Sequence, residues 1–374
     1  MGPGAARLRQ GPLHELGQHR PQVPGAAIHR GVLGPVSAPT APAGAVTREF
    51  PKPVLVISEC LEFEPCRYDG ARIRFDLVKA LEPHVQYRPV CPEVQVGLGV
   101  PRDTIRLVAS GERNLLVQPA TGRDLTDDME GFAALHLDGL DEVDGFILKS
   151  RSPSCGLGHV KIFDGAESRR MVRRGAGVFA DAVLKRFGDL AIEDEGRLRN
   201  HRIREHFLTK LFALARLRDM ARAERMARLV RFHAAYKFLL LAYSERDLRQ
   251  LGRVVANPRR KRFEAVFDEY RTGFVRALRD TPRYTSVINV FQHISGFFRK
   301  ELSGGEKAHF AELLNRYREG QLPASAIASL LESWAVRFGS TYILDQALFA
   351  PFPEALKSPA DSGKGRAAGR SVAR

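Results

Sequence analysis

An alternation of strand-like and helix-like segments runs through the first half of the chain and then stops, and this change constrains the fold more than any other feature. Short apolar runs typical of buried strands are separated by segments with helical spacing. The strands are predicted at 54–58, 86–90, 105–108, 114–118 and 145–148, and the helices at 73–81 and from 124 to about 140. Because such alternation is typical of a parallel sheet covered on both faces, we predict an α/β N-terminal domain with a parallel sheet.

After Gly188 the strand signals stop, and the chain has the pattern of successive amphipathic helices. Asn257 with Pro258, and Gly320 with Pro323, are predicted helix ends. The helices are predicted at 203–219, 224–243, 244–256, 261–279, 285–302, 305–317 and 324–338. We therefore predict an all-α C-terminal domain, with the domain boundary in the charged stretch 193–201.

The two ends of the chain differ in composition from the rest. Residues 1–48 are rich in Pro, Gly and Ala and have no apolar periodicity, so they are predicted to be a disordered extension. Residues 357–374 are mostly Gly, Ser, Ala and Arg, so they are predicted to be a flexible basic tail. The two domains between these ends are predicted to span 49–197 and 198–356.

The formal net charge of the 374-residue chain is +15. A surface with this charge attracts polyanions, so nucleic acid is the first partner to consider. Alternatively, the charge reflects a GC-rich genome that encodes arginine in place of lysine, and a surface charge that keeps the protein in solution. There is no apolar run of transmembrane length and no secretory signal pattern, so we expect a cytoplasmic location and no membrane partner.

Four cysteines occur, all of them in the predicted α/β domain: Cys60, Cys66, Cys91 and Cys155. Three of them, Cys60, Cys91 and Cys155, follow a predicted strand, and the carboxyl ends of parallel strands meet at one edge of a sheet. One site could therefore collect all three. In a reducing compartment, clustered thiols are more often metal ligands or catalysts than disulfide bridges. The alternative is that they are small buried hydrophobic residues, but their polar, turn-forming flanks favour a functional site.

Three motifs around these cysteines resemble the 2-thiouracil desulfidase (TudS) family over about residues 54–187. They are Cys60 with Cys66-Arg67-Tyr68-Asp69-Gly70, Val90-Cys91-Pro92-Glu93 with Gly97-Leu98-Gly99-Val100-Pro101-Arg102, and Lys149-Ser150-Arg151-Ser152-Pro153-Ser154-Cys155-Gly156. The resemblance implies a Rossmann-like fold and a 4Fe-4S cluster held by Cys60, Cys91 and Cys155, whose open iron binds the sulfur of a thiolated uracil. Cys66 is outside this ligand pattern; we expect it to support the site, while a persulfide or an exchange of ligands stays open.

Desulfidation requires water to attack the thiocarbonyl carbon while sulfur leaves, and an iron bound to that sulfur would act as a Lewis acid. Protons must also move. The resemblance makes Glu93 the candidate that activates water or protonates the base, and Ser152 the candidate that donates a hydrogen bond to substrate or water. The alternatives are a helix N-terminus for Glu93 and a turn for Ser152.

Two segments of the second half, 231–240 and 289–300, each combine histidine, aromatic and basic residues, although we expect Phe232, Phe291 and Phe297 to lie in the core. With 301–307 and 344–353, these segments resemble the YbgA domain over about 201–356. The fusion of both domains resembles the tRNA 4-thiouridine desulfidases (RudS), which implies tRNA as the partner. The candidate phosphate contacts are Arg202, Arg204, Lys210, Arg231, Lys237, Arg299 and Lys300.

Three functions stay open. The leading hypothesis is an iron-sulfur enzyme that converts 4-thiouridine in tRNA to uridine and releases sulfide. The second is an enzyme with the same chemistry that acts on free 2-thiouracil or a related base. The third is a redox-sensing nucleic-acid-binding protein whose cluster is regulatory and removes no sulfur. The basic helical domain favours the first, because an enzyme for a free base needs no surface for a polyanion. No obligate protein partner is indicated.

Overall fold

The computed structural model describes residues 49–111 and 113–357. The predicted extension at 1–48 and the predicted tail beyond Lys357 lie outside these residues. An α/β region with a parallel sheet is followed by a helical region, which confirms the predicted fold class. None of the described helices is both long and apolar enough to cross a membrane.

The strands are β1 (Val54–Ser58), β2 (Gln86–Val90), β3 (Arg106–Ser110), β4 (Arg113–Gln118), β5 (Arg123–Asp124), β6 (Gly145–Leu148), β7 (Val160–Phe163), β8 (Met171–Gly175) and β9 (Ala191–Asp194). The helices of the α/β region are α1 (Asp76–Leu81), α2 (Pro92–Gln95), α3 (Thr126–Asp138) and α4 (Val178–Phe187). The helices that follow are α5 (His201–Ala221), α6 (Met226–Tyr243), α7 (Glu245–Ala256), α8 (Phe263–Ala277), α9 (Tyr284–Gly296), α10 (Gly304–Glu319), α11 (Ala324–Arg337) and α12 (Thr341–Leu344).

The first sheet is parallel, with the strand order β2-β1-β6-β9. Every residue of its central strands β1 and β6 is buried, because helices cover both faces, and this explains their unbroken apolar sequence. Leu55 and Ile57 face a core that includes Phe207 and Leu211 of α5, whereas Val56 faces the core under α3 and α4. The first long helix of the helical region therefore covers one face of the parallel sheet.

The prediction that strands stop after Gly188 is wrong, because β9 pairs in parallel with β6 and forms an edge of the sheet. This strand is short and ends in two acidic residues, Glu193 and Asp194, so its sequence carries little strand signal. The error matters for the site, since a fourth strand end lies beside the three that carry cysteines.

The predicted strands near 105–108 and 114–118 exist as β3 and β4, but they do not belong to the parallel sheet. They form an antiparallel hairpin within a second, mixed sheet, whose strand order is β5-β4-β3-β7-β8. A parallel connection needs about a dozen residues or more, and the short turn at Gly111 excludes it. The strands β7 and β8 of this sheet were not predicted.

The predicted helices of the second half correspond in order to α5 through α11. Asn257 and Gly320 end α7 and α10 in the left-handed conformation, as their sequence context predicts. Phe232 and Phe291 are buried core residues, as expected. The same expectation is wrong for Phe297, which is 50% exposed.

Candidate active site

A cavity of about 340 Å³ at the carboxyl ends of the parallel strands is lined by all four cysteines. Cys60 lies two residues after β1, Cys91 directly follows β2, and Cys155 lies on the loop after β6. The side chains of all four are buried, with 4% to 8% exposed. The structure thus brings the three cysteine loops together, as expected for the ends of parallel strands.

The thiol of Cys66 lies near those of Cys91 and Cys60. The sulfurs of Cys66 and Cys91 and a carboxylate oxygen of Glu59 all lie within 4.8 Å of one another. The thiol of Cys66 is also hydrogen-bonded to that of Cys60. The structure does not set Cys66 apart from the other three, so the ligand set Cys60, Cys91 and Cys155 stays a prediction.

The environment of these thiols disfavours the thiolate in the absence of a metal. The hydrogen bond with Cys60 and burial raise the pKa of Cys66 to about 12, and burial raises the pKa of Cys155 to about 12. The hydrogen bond with Cys66 and burial raise the pKa of Cys91 far above its usual value. A soft metal group would displace these protons, since thiolate is the ligand. Buried, clustered sulfur donors around one cavity fit an iron-sulfur group.

Glu93 reaches across the cavity wall and is held at both carboxylate oxygens. The Arg102 guanidinium donates to Oε2 through Nη2 at 2.5 Å and Nε at 3.1 Å. The hydroxyls of Ser154 and Ser152 donate to Oε1 at 2.7 Å and 3.1 Å. Glu93 is also the acidic residue in the first turn of α2, as the alternative of a helix N-terminus predicts. Its side chain nevertheless lines the cavity.

Ser152 contacts Glu93 and also shapes the Cys155 loop. Its hydroxyl oxygen accepts hydrogen bonds from the backbone N–H of Ser154 at 3.3 Å and of Cys155 at 3.2 Å. The two predicted catalytic residues, 59 positions apart in the chain, are therefore in direct contact. Ser152 therefore also stabilises the turn of this loop, as the alternative interpretation predicts.

Sequence reasoning assigned no role to Arg102 or Ser154, although both stand in the quoted motifs. The Arg102 side chain is 5% exposed and, besides binding Glu93, donates to the carbonyl oxygens of Cys66 at 3.0 Å and Gly99 at 3.1 Å. It therefore ties the Cys66 loop to the Cys91 loop. The signal that could have identified it is its position as the sole basic residue in the stretch 92–104.

Glu195, directly after β9, was also not predicted as a site residue, because that strand was not predicted. It is 6% exposed and accepts hydrogen bonds from Lys149 Nζ at 2.6 Å and from the Ser150 backbone N–H and hydroxyl, each at 2.7 Å. Burial alone would raise the pKa of Glu195, but these donors hold it below its usual value. The loop that carries Ser152 and Cys155 is thus anchored at its start by an ion pair.

Gly156 allows the Cys155 loop to close tightly. A Cβ atom at this position would lie 2.4 Å from a Val160 methyl carbon and 2.8 Å from the Ser152 carbonyl oxygen. No real side chain tolerates such contacts, so glycine is required directly after the cysteine.

The predicted RNA contacts differ widely in exposure. Arg231, Lys237, Arg299 and Lys300 are exposed, Arg202 and Arg204 are partly buried, and Lys210 is buried. Arg202 already donates to the Pro282 carbonyl oxygen at 2.7 Å. The prediction that Lys210 contacts a phosphate does not fit its burial. It is 7% exposed, and burial lowers its pKa to about 8, so its ammonium group is not available to a phosphate at the surface.

Comparisons with known proteins match the α/β region and most of the helical region to two different families. Residues 55–195 match the family model described as 2-thiouracil desulfurase, and residues 237–353 match DUF1722, a family of unknown function. The uncharacterized protein YbbK of Bacillus subtilis (strain 168) is 32% identical over 149 residues, which cover 38% of this chain and 95% of YbbK. The uncharacterized protein YbgA of Escherichia coli (strain K12) is 25% identical over 157 residues, which cover 42% of this chain and 83% of YbgA. A solved structure described as the 4Fe-4S-dependent thiouracil desulfidase TudS is 31% identical and covers 40% of this chain and 94% of its own, with a TM-score of 0.33.

Proposed function

The chain belongs to the 2-thiouracil desulfurase family through residues 55–195, with a YbgA-like domain after them, and we propose that it hydrolyses the thiocarbonyl group of a uracil base. The supporting observation is the contact of Glu93 with Ser152 and Ser154 on the wall of a cavity lined by four buried thiols. In this reaction a water molecule supplies the oxygen that replaces sulfur, and sulfur leaves as hydrogen sulfide. No electrons are gained or lost overall, so no oxidant or reductant is consumed.

We further propose that Cys60, Cys91 and Cys155 hold a 4Fe-4S cluster, with Cys66 beside it. When bound, the cluster supplies an iron without a cysteine ligand, which is a Lewis acid for the substrate sulfur. The chain's own contribution is a buried set of sulfur ligands on three loops that the fold fixes in place. Because the pKa values of Cys91 and Cys155 are raised, assembly should release protons and should be favoured by higher pH.

In this proposal Glu93 Oε1 accepts a proton from the attacking water. Arg102 occupies Oε2 with two hydrogen bonds, which leaves Oε1 as the oxygen that faces the serines. Ser152 and Ser154 hold that oxygen in place, and either hydroxyl can turn toward the water or the base. A positioned base of this kind contributes a factor of about 10² to 10⁴ in rate.

The finer proposal is that the base is 4-thiouridine in tRNA. The net charge of +15 suits a polyanion, and Arg231, Lys237, Arg299 and Lys300 offer exposed cations on the helical region. The partly buried Arg202 and Arg204 remain candidates. A base within folded RNA would have to leave its stack to enter the cavity.

The test is sulfide release by the full chain purified without oxygen. Two substrates are compared, an RNA stem-loop with a single 4-thiouridine and free 2-thiouracil, while loss of the thiocarbonyl absorbance is followed in parallel. We expect sulfide from the RNA in an amount equal to the thiocarbonyl lost. Sulfide from free 2-thiouracil alone would reject the RNA substrate. Iron-containing protein that binds the RNA without releasing sulfide would reject the enzyme and favour the sensor.

A further inference from the structure

The hairpin of β7 and β8, residues 160–175, presents an exposed edge on the α/β region. The strand β8 is the last in the order of the mixed sheet and pairs with β7. Residues 171–174 of β8 are all exposed, among them Met171 at 42% and Val172 at 45%. An edge of this kind is open to a partner.

This edge carries dense positive charge that carboxylates neutralise only in part. Arg169, Arg170, Arg173 and Arg174 occupy four of six successive positions. The Arg173 guanidinium donates to the side-chain oxygen of Asn114 at 2.7 Å, and Arg174 donates to the His159 carbonyl oxygen at 3.4 Å, so both acceptors are neutral. Among the described residues, one carboxylate approaches the four arginines: Asp164 lies 3.9 Å from Arg170.

The strands β4 and β5, at the other end of the strand order, show the contrasting arrangement. Arg113 lies between Asp127 at 2.5 Å and Glu130 at 3.0 Å. Arg123 of β5 is 3.1 Å from Asp128. Exposed arginines of these strands are thus paired with carboxylates, whereas those of β8 remain available to a phosphate.

Both ends of the hairpin join the Cys155 loop directly. The strand β7 begins at Val160, five residues after Cys155. After β8, the Gly177 N–H donates to the Gly156 carbonyl oxygen at 2.8 Å, and the Val178 N–H donates to that of Pro153 at 3.1 Å. A Cβ atom at Gly177 would lie 2.5 Å from the Ser154 carbonyl oxygen, so the chain there runs tight against this loop. A ligand on β8 therefore lies on an element fixed to the cavity wall.

We propose that Arg173 and Arg174, with Arg169 and Arg170 beside them, bind phosphates of the RNA that carries the substrate base. This inference rests on the proposed function and places part of the RNA surface on the catalytic domain rather than on the helices. Arginine binds phosphate with two parallel hydrogen bonds. Pairing with a protein strand is disfavoured, because charged residues along an edge protect it from strand addition.

The test compares Arg173→Ala/Arg174→Ala with Arg113→Ala/Arg123→Ala, a pair of exposed arginines on β4 and β5 that carboxylates already neutralise. Binding of the full chain to an unthiolated RNA stem-loop is measured by fluorescence anisotropy at several salt concentrations, and KM is measured for the thiolated stem-loop and for free 4-thiouridine nucleoside. For the β8 variant we expect roughly tenfold weaker RNA binding, a similar rise in the RNA KM, and a salt slope lower by about two. The iron content and the turnover of the nucleoside should not change.

Equal effects in the two double variants, or RNA binding by the β8 variant with an unchanged salt slope, would overturn the inference. Loss of iron or of nucleoside turnover in the β8 variant would also overturn it, because the arginines would then be structural. The RNA-binding measurement does not depend on sulfide release, so it tests this inference separately from the proposed function. If the wild-type chain binds RNA but releases no sulfide, the proposed function fails, and the salt slope still decides whether β8 binds RNA.

Discussion

The buried charged groups at the carboxyl ends of the parallel strands differ from the buried lysine of α5 in the helical region. Around the cavity, Glu93, Arg102 and Glu195 each have three or more hydrogen bonds. In the helical region, Lys210 is 7% exposed, and burial lowers its pKa to about 8 although the charges of Asp189 and Asp280 act in the opposite direction. A fully bonded network fixes the positions of its members, whereas a buried charge whose desolvation outweighs its attractive contacts lowers stability. The difference is therefore between a hydrogen-bonded network on the cavity wall and a buried charge that reduces stability.

Among changes to the residues around the cavity, we expect the largest effect from substituting the cysteines. Serine at Cys60, Cys91 or Cys155 should remove nearly all bound iron and acid-labile sulfide, because each substitution deletes a proposed thiolate ligand. The measurement is the iron and sulfide content of the full chain purified without oxygen. Cys66→Ser is the matched control, since Cys66 lines the same cavity but is outside the proposed ligand set. If Cys66→Ser alone loses its iron, the ligand assignment is wrong.

The next largest effect concerns the acid in the network. Glu93→Gln should lower kcat by a factor of about 10² to 10⁴ with little change in iron content, since the amide keeps the shape of the side chain but cannot accept the proton. Sulfide release at saturating substrate measures this. The control is Asp69→Asn, whose carboxylate pairs with Arg67 in the exposed part of the Cys66 loop. Equal losses in the two variants would show that Glu93 acts through charge rather than as the base.

The sequence predicted what depends on local pattern and missed what depends on contacts between distant segments. Cys60, Cys91 and Cys155 could be placed together, because strand ends converge in any parallel sheet. The contact of Arg102 with Glu93 depends on how two loops fold back on each other, and Glu195 depends on an edge strand with little apolar sequence. Helical periodicity located α5 but did not show that Lys210 lies on its buried side.

A smaller effect, on stability, tests the helical side of the comparison. Lys210→Met should raise the free energy of unfolding at pH 7 by on the order of 2 kcal/mol, because burial holds the pKa of this lysine near 8, well below its ordinary value. Since the unfolded chain binds more protons than the folded chain above that pKa, wild-type stability should also rise with pH from about 8 to 10.5, and the variant should lose this rise. Denaturant titrations measure both effects. Lys237→Met, at an exposed position of α6, is the control and should change neither.

The smallest effect arises from His206, one turn before Lys210 on α5. Burial and the nearby charge of Lys210 lower its pKa to about 4. Since the unfolded chain takes up a proton near pH 6.5 and the folded chain resists it, the contribution of His206 is complete above pH 6.5 and declines as the pH falls toward 4. Replacing it with glutamine should therefore remove on the order of 1 kcal/mol of the stability lost between pH 7 and pH 5, while the exposed His293→Gln should not. In Lys210→Met the neighbouring charge is gone, so the pKa of His206 should rise and the acid loss should shrink. An acid loss that stays the same in Lys210→Met would show that burial alone sets the pKa of His206.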